Sequence, residues 1–261
     1  MKIEDTLWLW GQAPGSHHIA FPNLPGVNRM TPAEGAEYFG IPNVFSVVMG
    51  NQPAPPFDNA ARELSGCRQV VWSIIGDKSS DRTDDGANDL DEVLKVSQKF
   101  PNITGGIMDD FLNPVRTAVF TPEVVKGFRD KLHEAGLSFW TVLYEQELRP
   151  EIIPYLELCD NITFWTWNPE ALRDLEANVQ RVRSMMKPEQ KLYLGCYMWN
   201  YEADCELSVA DMEYQLELCK RWISEGEISG IILCSNCIAD IGLAASDFTK
   251  AWMDKNRNLE V

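Results

Sequence analysis

Two adjacent carboxylates, Asp109 and Asp110, stand where the apolar stretch Gly105-Gly106-Ile107-Met108 gives way to Phe111 and a loop. A carboxyl pair at a strand end can act on an acetal linkage. One member holds a proton for the leaving oxygen while the other, ionised, faces the anomeric carbon or its attacking water. Neighbouring strand residues point to opposite faces, so the two aspartates are expected to do different jobs. The expected parity puts Ile107 toward the helices, and Gly106, Met108 and Asp110 toward the other side of the sheet. The two glycines would let neighbouring side chains pack close. The competing reading is that both aspartates only cap the following loop.

Other carboxylates occupy comparable places. Glu145 directly follows the run 137–144, and Glu202 lies three residues past the run 191–199. As catalytic candidates Asp110 ranks first, Glu145 second and Glu202 third. Asp109 is expected to orient the loop of Asp110 or to bind hydroxyls. In a chain carrying 39 Asp and Glu, the default state of any one of them is a solvated loop carboxylate.

Aromatic and carboxamide residues recur at the same kind of position. Trp8 with Trp10, and Trp165 with Trp167, are two apart and share a strand face. If Ile162, Phe164, Leu192 and Leu194 pack on helices, then Trp165, Trp167, Tyr197 and Trp199 point the other way. Nine tryptophans can simply fill a core. They can also form a stacking platform, since a sugar ring packs its C–H face on indole and needs Asp, Glu, Asn or Gln for its hydroxyls. The binding candidates are Trp10, Gln12, His18, Tyr144, Trp165, Trp167, Asn168, Tyr197, Trp199, Asn200 and Asn236. Asp77 and a polar loop over 77–88 add to them.

These positions come into line when the elements are read. Strands are expected at 6–10, 44–49, 69–75, 105–108, 137–144, 162–167, 191–199 and 228–234, each followed by a loop and a helix. Thr31-Pro32 and Thr121-Pro122 read as helix caps, Ser208 as another, and Gly136 as a helix stop. Alternating strand and helix implies a parallel sheet, and eight units in about 250 residues is the size of a closed barrel. The fold class is therefore α/β, with residues 1–261 forming a single (β/α)8 TIM barrel domain. Its site lies at the C-terminal strand ends, where the candidates fall. An open doubly wound sheet is the runner-up, but Gly11-Gln12-Ala13-Pro14-Gly15 is not its phosphate-binding turn. No cofactor is expected.

Composition narrows the partners. The net charge of −16 argues against nucleic acid and anionic membranes. No apolar run approaches the roughly 20 residues of a membrane span. The first ten residues are too acidic and too short for a secretory signal. Seven cysteines, an odd number, read mostly as small buried residues in a reducing, cytoplasmic compartment. The expected ligand is a carbohydrate or another small polar molecule.

The eight-unit rhythm, the Gly-Ile-Met-Asp-Asp-Phe stretch and the Trp-rich ends of strands six and seven resemble a TIM-barrel glycoside hydrolase. In several such families strand four ends in a catalytic carboxylate, which the resemblance would place at Asp109 or Asp110. The chain has neither the Asn-Glu pair of the cellulase-like families nor the DxxDxDxE run of the chitinase-like ones. Two other readings stay open. One is a divalent-metal sugar isomerase or epimerase drawing on His17, His18, Asp109, Asp110 and Glu145. The other is a carbohydrate-binding barrel without catalysis. On the hydrolase reading, Asp110 sits beside Trp167 or Trp199 with Glu145 or Glu202 facing it.

Overall fold

The computed structural model describes residues 1–83 and 85–261; Asp84, in the polar loop expected over 77–88, lies outside the described residues. Eight parallel strands close into one barrel: β1 (Leu7–Gly11), β2 (Asn43–Ser46), β3 (Gln69–Ile75), β4 (Ile103–Met108), β5 (Ser138–Tyr144), β6 (Asn161–Trp165), β7 (Lys191–Tyr197) and β8 (Gly230–Cys234). Each pairs with its sequence neighbours, and β8 pairs with β1 to close the ring. The helices following the strands are α1 (Pro32–Phe39), α2 (Asp58–Glu63), α3 (Leu90–Ser97), α4 (Pro122–Glu134), the single turn α5 (Ile153–Leu156), α6 (Leu175–Met185), α7 (Val209–Ser224) and α8 (Ala244–Asn256).

Local chemistry starts these helices where the sequence says it should. Thr31, Thr121 and Ser208 each accept a hydrogen bond from a backbone N–H three residues on, satisfying one of the orphan donors of the first turn. The strands are apolar on both faces, as a sheet wrapped by helices must be. Val70, Val71, Trp72, Ile74 and Ile75 of β3 are all fully buried.

The barrel interior is plugged by aromatic rings. Trp8 of β1 lies 5.4 Å from Trp140 of β5, a contact that crosses the barrel, and Tyr193 of β7 and Phe45 of β2 pack onto the same pair. A second tier above it joins Trp10, Trp165 and Tyr197. Two glycines make room. A Cβ on Gly105 would lie 2.6 Å from Trp140 Nε1, and one on Gly195 would lie 2.0 Å from the Trp165 ring. Trp8, Trp10 and Trp165 thus face inward, as their spacing predicts.

Three expectations need correction. The parity of β4 is the reverse of the one expected. A Cβ on Gly106 would meet Ile74 and Leu132, and Leu132 belongs to α4, so Gly106 faces the helices and Ile107 the interior. With glycine at two consecutive positions, few side chains of β4 carry a burial pattern from which its face could be read. Strand β7 stops at Tyr197, and Trp199-Asn200 instead pair with Cys205-Glu206 in a short antiparallel hairpin. Strand β6 stops at Trp165, so Trp167 belongs to its exit loop. All seven cysteines are free thiols.

Candidate active site

At the C-terminal ends of the strands the exit loops enclose a cavity of about 340 Å³. Its lining comes from all eight strand ends and exits: Trp10, Gln12, His17 and Phe21 at β1, Met49 after β2, Asp77, Lys78 and Ser79 after β3, Asp109, Asp110 and Asn113 after β4, Tyr144, Gln146 and Glu147 around the end of β5, Trp165 and the exit residue Trp167 at β6, Tyr197 and the exit residue Tyr201 at β7, and Cys234 of β8.

One side is acidic. Asp109 continues the inward face of β4 and is 3% exposed. Its burial, and the like charges of Asp110 and Asp77, push its carboxyl well above the usual carboxylate range; Arg116 and the Asp110 N–H pull weakly the other way. Asp110 would point away from the cavity on an extended backbone. It reaches the cavity because its φ is +48°, in the left-handed region that Asp tolerates better than most residues. Tyr144 Oη donates to Asp110 Oδ1 at 2.8 Å, and the Lys78 N–H donates to Oδ2 at 3.3 Å. Asp110 is therefore placed as an acceptor at both oxygens.

Asp77 and Glu147 flank this pair. Asp77 Oδ1 accepts from the N–H and hydroxyl of Ser79 and from the Ser80 hydroxyl. Burial nonetheless raises its carboxyl above the usual range, with the charge of Asp110 adding to it against the Ser79 bonds. Glu147 Oε2 accepts from the Tyr144 N–H at 3.0 Å, and burial lifts its carboxyl to about 7. Beneath the cluster, the buried Arg116 guanidinium donates to the carbonyls of Gly76, Asp77 and Asp109. It ties the exits of β3 and β4 together.

An aromatic wall adjoins these carboxylates through Tyr144. Trp167 stacks on Tyr201 at 5.9 Å, and meets Tyr144 and Tyr197 edge-on at 6.2 and 5.7 Å. Phe21 and His17 pack on Tyr201. His17 is buried with Nδ1 3.1 Å from Tyr201 Oη, and burial drives its imidazole down to about 3, so it stays neutral.

Several sequence candidates serve the scaffold instead. Glu145 does not face Asp110: its two oxygens accept the backbone N–H groups of Trp167 and Asn168 at 2.9 and 3.1 Å, which fixes the β6 exit. Glu202 is exposed and outside the cavity lining. Asn168 caps the turn that begins at Pro169, Asn200 receives the Ala203 N–H, and Trp199 donates to Asp204. Asn236 accepts from the Gln12 N–H and donates to the Gln12 and Met30 carbonyls, joining the β8 and β1 exits. His18 accepts from the Asn28 N–H, so His17 is the histidine at the cavity. Asp110, Asp109, Trp10, Gln12, Tyr144, Trp165, Trp167 and Tyr197 do come together there.

Glu147, Met49, Lys78 and Tyr201 were not among the ranked candidates. Only the carboxylate of Glu147, two residues past Glu145, carried a usable signal. Among the described residues, no three His, Cys, Asp or Glu side chains are grouped as a metal site would need.

No protein-family model matches the chain, and no curated protein does either. Solved structures match its fold. The spore cortex-lytic enzyme SleL of Bacillus megaterium is 11% identical with a TM-score of 0.60, covering 98% of this chain and 74% of its own. A chitinase from Chromobacterium violaceum is 10% identical with a TM-score of 0.59, covering 94% and 99%. A tryptophan synthase complex from Pyrococcus furiosus is 11% identical with a TM-score of 0.54, covering 96% and 97%. At such identities the likeness is one of architecture, and the chain shares with all three a (β/α)8 barrel.

Proposed function

We propose that the chain is a carbohydrate-active enzyme that hydrolyses glycosidic bonds at the C-terminal mouth of the barrel. The observation that carries this reading is the pairing at the end of β4. A buried carboxyl disposed to hold its proton, Asp109, adjoins a hydrogen-bonded acceptor, Asp110, in a cavity walled by Trp and Tyr. The chitinase among the fold neighbours is consistent with it, but tryptophan synthase has the same architecture, so the chemistry must be argued from the site.

Asp109 gives its proton to the bridging oxygen as the bond from that oxygen to the anomeric carbon breaks. Asp110 faces the positive charge growing on the sugar ring; water adds its hydroxyl to the anomeric carbon and gives its other proton to the carboxylate pair, which restores the acid for the next turnover. Trp167 and Tyr197 hold the ring through its C–H face, with the buried Trp165 packed behind Tyr197. Tyr144 keeps Asp110 oriented. Pairing of two carboxyls in one apolar-walled site splits their proton affinities, so activity follows a bell in pH whose limbs belong to the pair.

Turnover of aryl-glycosides and oligosaccharides by the purified chain, lost in Asp109→Asn and Asp110→Asn, is the expected result. No turnover on a broad panel would sink the reading. Sugar binding unaffected by Asp110→Ala but abolished by Trp167→Ala, without turnover, would point to a binding barrel instead.

A further inference from the structure

Hydrolysis needs two carboxylates, and this cavity has four. Asp77 and Glu147 are surplus to the chemistry, and they approach the catalytic pair from the neighbouring exits of β3 and β5. Neither is consumed by the scaffold as Glu145 is. The bonds to Asp77 fall on Oδ1 and the bond to Glu147 on Oε2, which leaves Oδ2 and Oε1 without a partner among the described residues. Within the lining the only cationic side chain among the described residues is Lys78, which is exposed at the rim, and His17 is neutral.

A second feature is independent of these charges. Gln12 is 5% exposed and lines the same cavity. Its Nε2 donates to the Met49 sulfur at 3.2 Å, while its Oε1 is buried without a partner among the described residues. What is missing there is a donor. The aromatic wall also accepts a cation, since Lys78 Nζ lies 5.8 Å from the centre of the Trp167 ring. A neutral hydroxyl would satisfy Gln12 but bring no charge to the surplus carboxylates, of which Glu147 feels Arg149 from outside the lining too weakly to offset its burial.

We propose that the sugar unit bound in this cavity carries a free, positively charged amine, held by Asp77 and Glu147 with the Gln12 carbonyl as a further acceptor. An ammonium brings three donors and a positive charge inside the lining, where Lys78 is the only other cation among the described residues. The net charge of −16 would draw a cationic oligosaccharide toward the protein. The proposal rests on the hydrolase reading for its location and deepens it by naming the substrate class.

The test compares kcat/KM on matched oligosaccharides of glucosamine, galactosamine, N-acetylglucosamine, glucose and glucuronic acid. One amine-bearing series should exceed its neutral counterpart about tenfold or more, a difference of about 1.4 kcal/mol. The ratio should shrink at high salt, and should approach one in Asp77→Asn. The salt response of the unaltered chain stands even where the variant does not fold. Equal or better turnover of neutral, N-acetylated or anionic oligosaccharides would overturn the proposal while leaving the hydrolase reading in place. If no class is turned over, the hydrolase reading fails, and calorimetry decides this proposal separately: tighter binding of the amine-bearing oligosaccharides upholds it, and equal binding overturns it.

Discussion

The exits of β4 and β5 look alike in sequence and differ in what the fold does with their carboxylates. Asp109-Asp110 and Glu145 each follow an apolar strand directly. At β5, both oxygens of Glu145 are claimed by the consecutive N–H groups of Trp167 and Asn168. At β4, Asp110 accepts a phenol and one long amide bond, and Asp109 is buried among like charges. A strand-end carboxylate is available for chemistry when backbone amides leave it so. A carboxylate satisfied by two amides is a brace that pays for its own burial. One crowded by other carboxylates has its protonation tuned for proton transfer.

The sharpest way to break this contrast is to neutralise each side. Asp109→Asn and Asp110→Asn should each lower kcat by roughly 10²–10⁴-fold, the range of a lost general acid or base. Asp109→Asn should keep or raise Tm, because it removes a buried charge site repelled by Asp110 and Asp77. An activity loss that came only with unfolding would mean that the β4 pair is as structural as Glu145. On substrates with good leaving groups, Asp109→Asn should recover much of its rate and lose the alkaline limb of the pH profile, whereas Asp110→Asn should not.

Glu147 offers the next largest effect, and it concerns stability. Its carboxyl is raised from 4.5 to about 7 on folding. Between those values the folded chain holds a proton that the unfolded chain has lost, so stability falls as pH rises through this window. The full difference amounts to about 3 kcal/mol, reached above about pH 7. Glu147→Gln keeps an acceptor for the Tyr144 N–H and removes the ionisation. Urea unfolding across pH 4–9 should show the variant gaining on the parent up to neutrality and holding level beyond. A parallel pair of curves would show that Glu147 is solvated in the folded chain.

Glu145→Gln comes third. The amide can still accept one of the two backbone N–H groups, but its NH₂ end faces the other. The cost should be about 1–2 kcal/mol, the price of one unmet donor. Because Trp167 hangs from that bond, KM should rise more than kcat falls. A kcat loss as large as that of Asp110→Asn would erase the contrast between the two exits.

The architecture was readable because it rests on local signals repeated eight times. Thr31, Thr121 and Ser208 cap helices by the bonds their side chains make in any context, and apolar runs mark strands that must be buried on both faces. The site was half readable. Trp165 faces inward by simple alternation. Asp110 reaches the cavity only through a left-handed φ, and Trp199 misses it because β7 ends two residues early. Backbone turns of this kind are set by what packs around the loop and leave little trace in residue types. Nor does spacing reveal which amides will find Glu145, because those amides lie 22 and 23 residues further along the chain.

Glu202 supplies the smallest effect, and with it a control on the whole contrast. It follows Tyr201, whose ring lines the cavity, but is itself exposed on the turn of the hairpin formed by Trp199-Asn200 and Cys205-Glu206. Its neighbours are already committed: Asn200 to the Ala203 N–H, and Trp199 to Asp204, whose carboxylate also meets the Asn23 N–H on the long β1 exit loop. Glu202 therefore stands on a loop held down at both sides, with its carboxylate in water. Glu202→Gln should change stability by less than about 0.5 kcal/mol, as expected for a surface substitution away from such contacts. It should also leave kcat/KM within about twofold, since an exposed charge outside the cavity is screened by solvent. A tenfold loss of turnover with unchanged stability would require the hairpin to close over bound substrate and carry Glu202 to the β4 pair. The four-carboxylate cavity would then be an open state, and a solvated loop residue, rather than a strand-end one, would complete the chemistry.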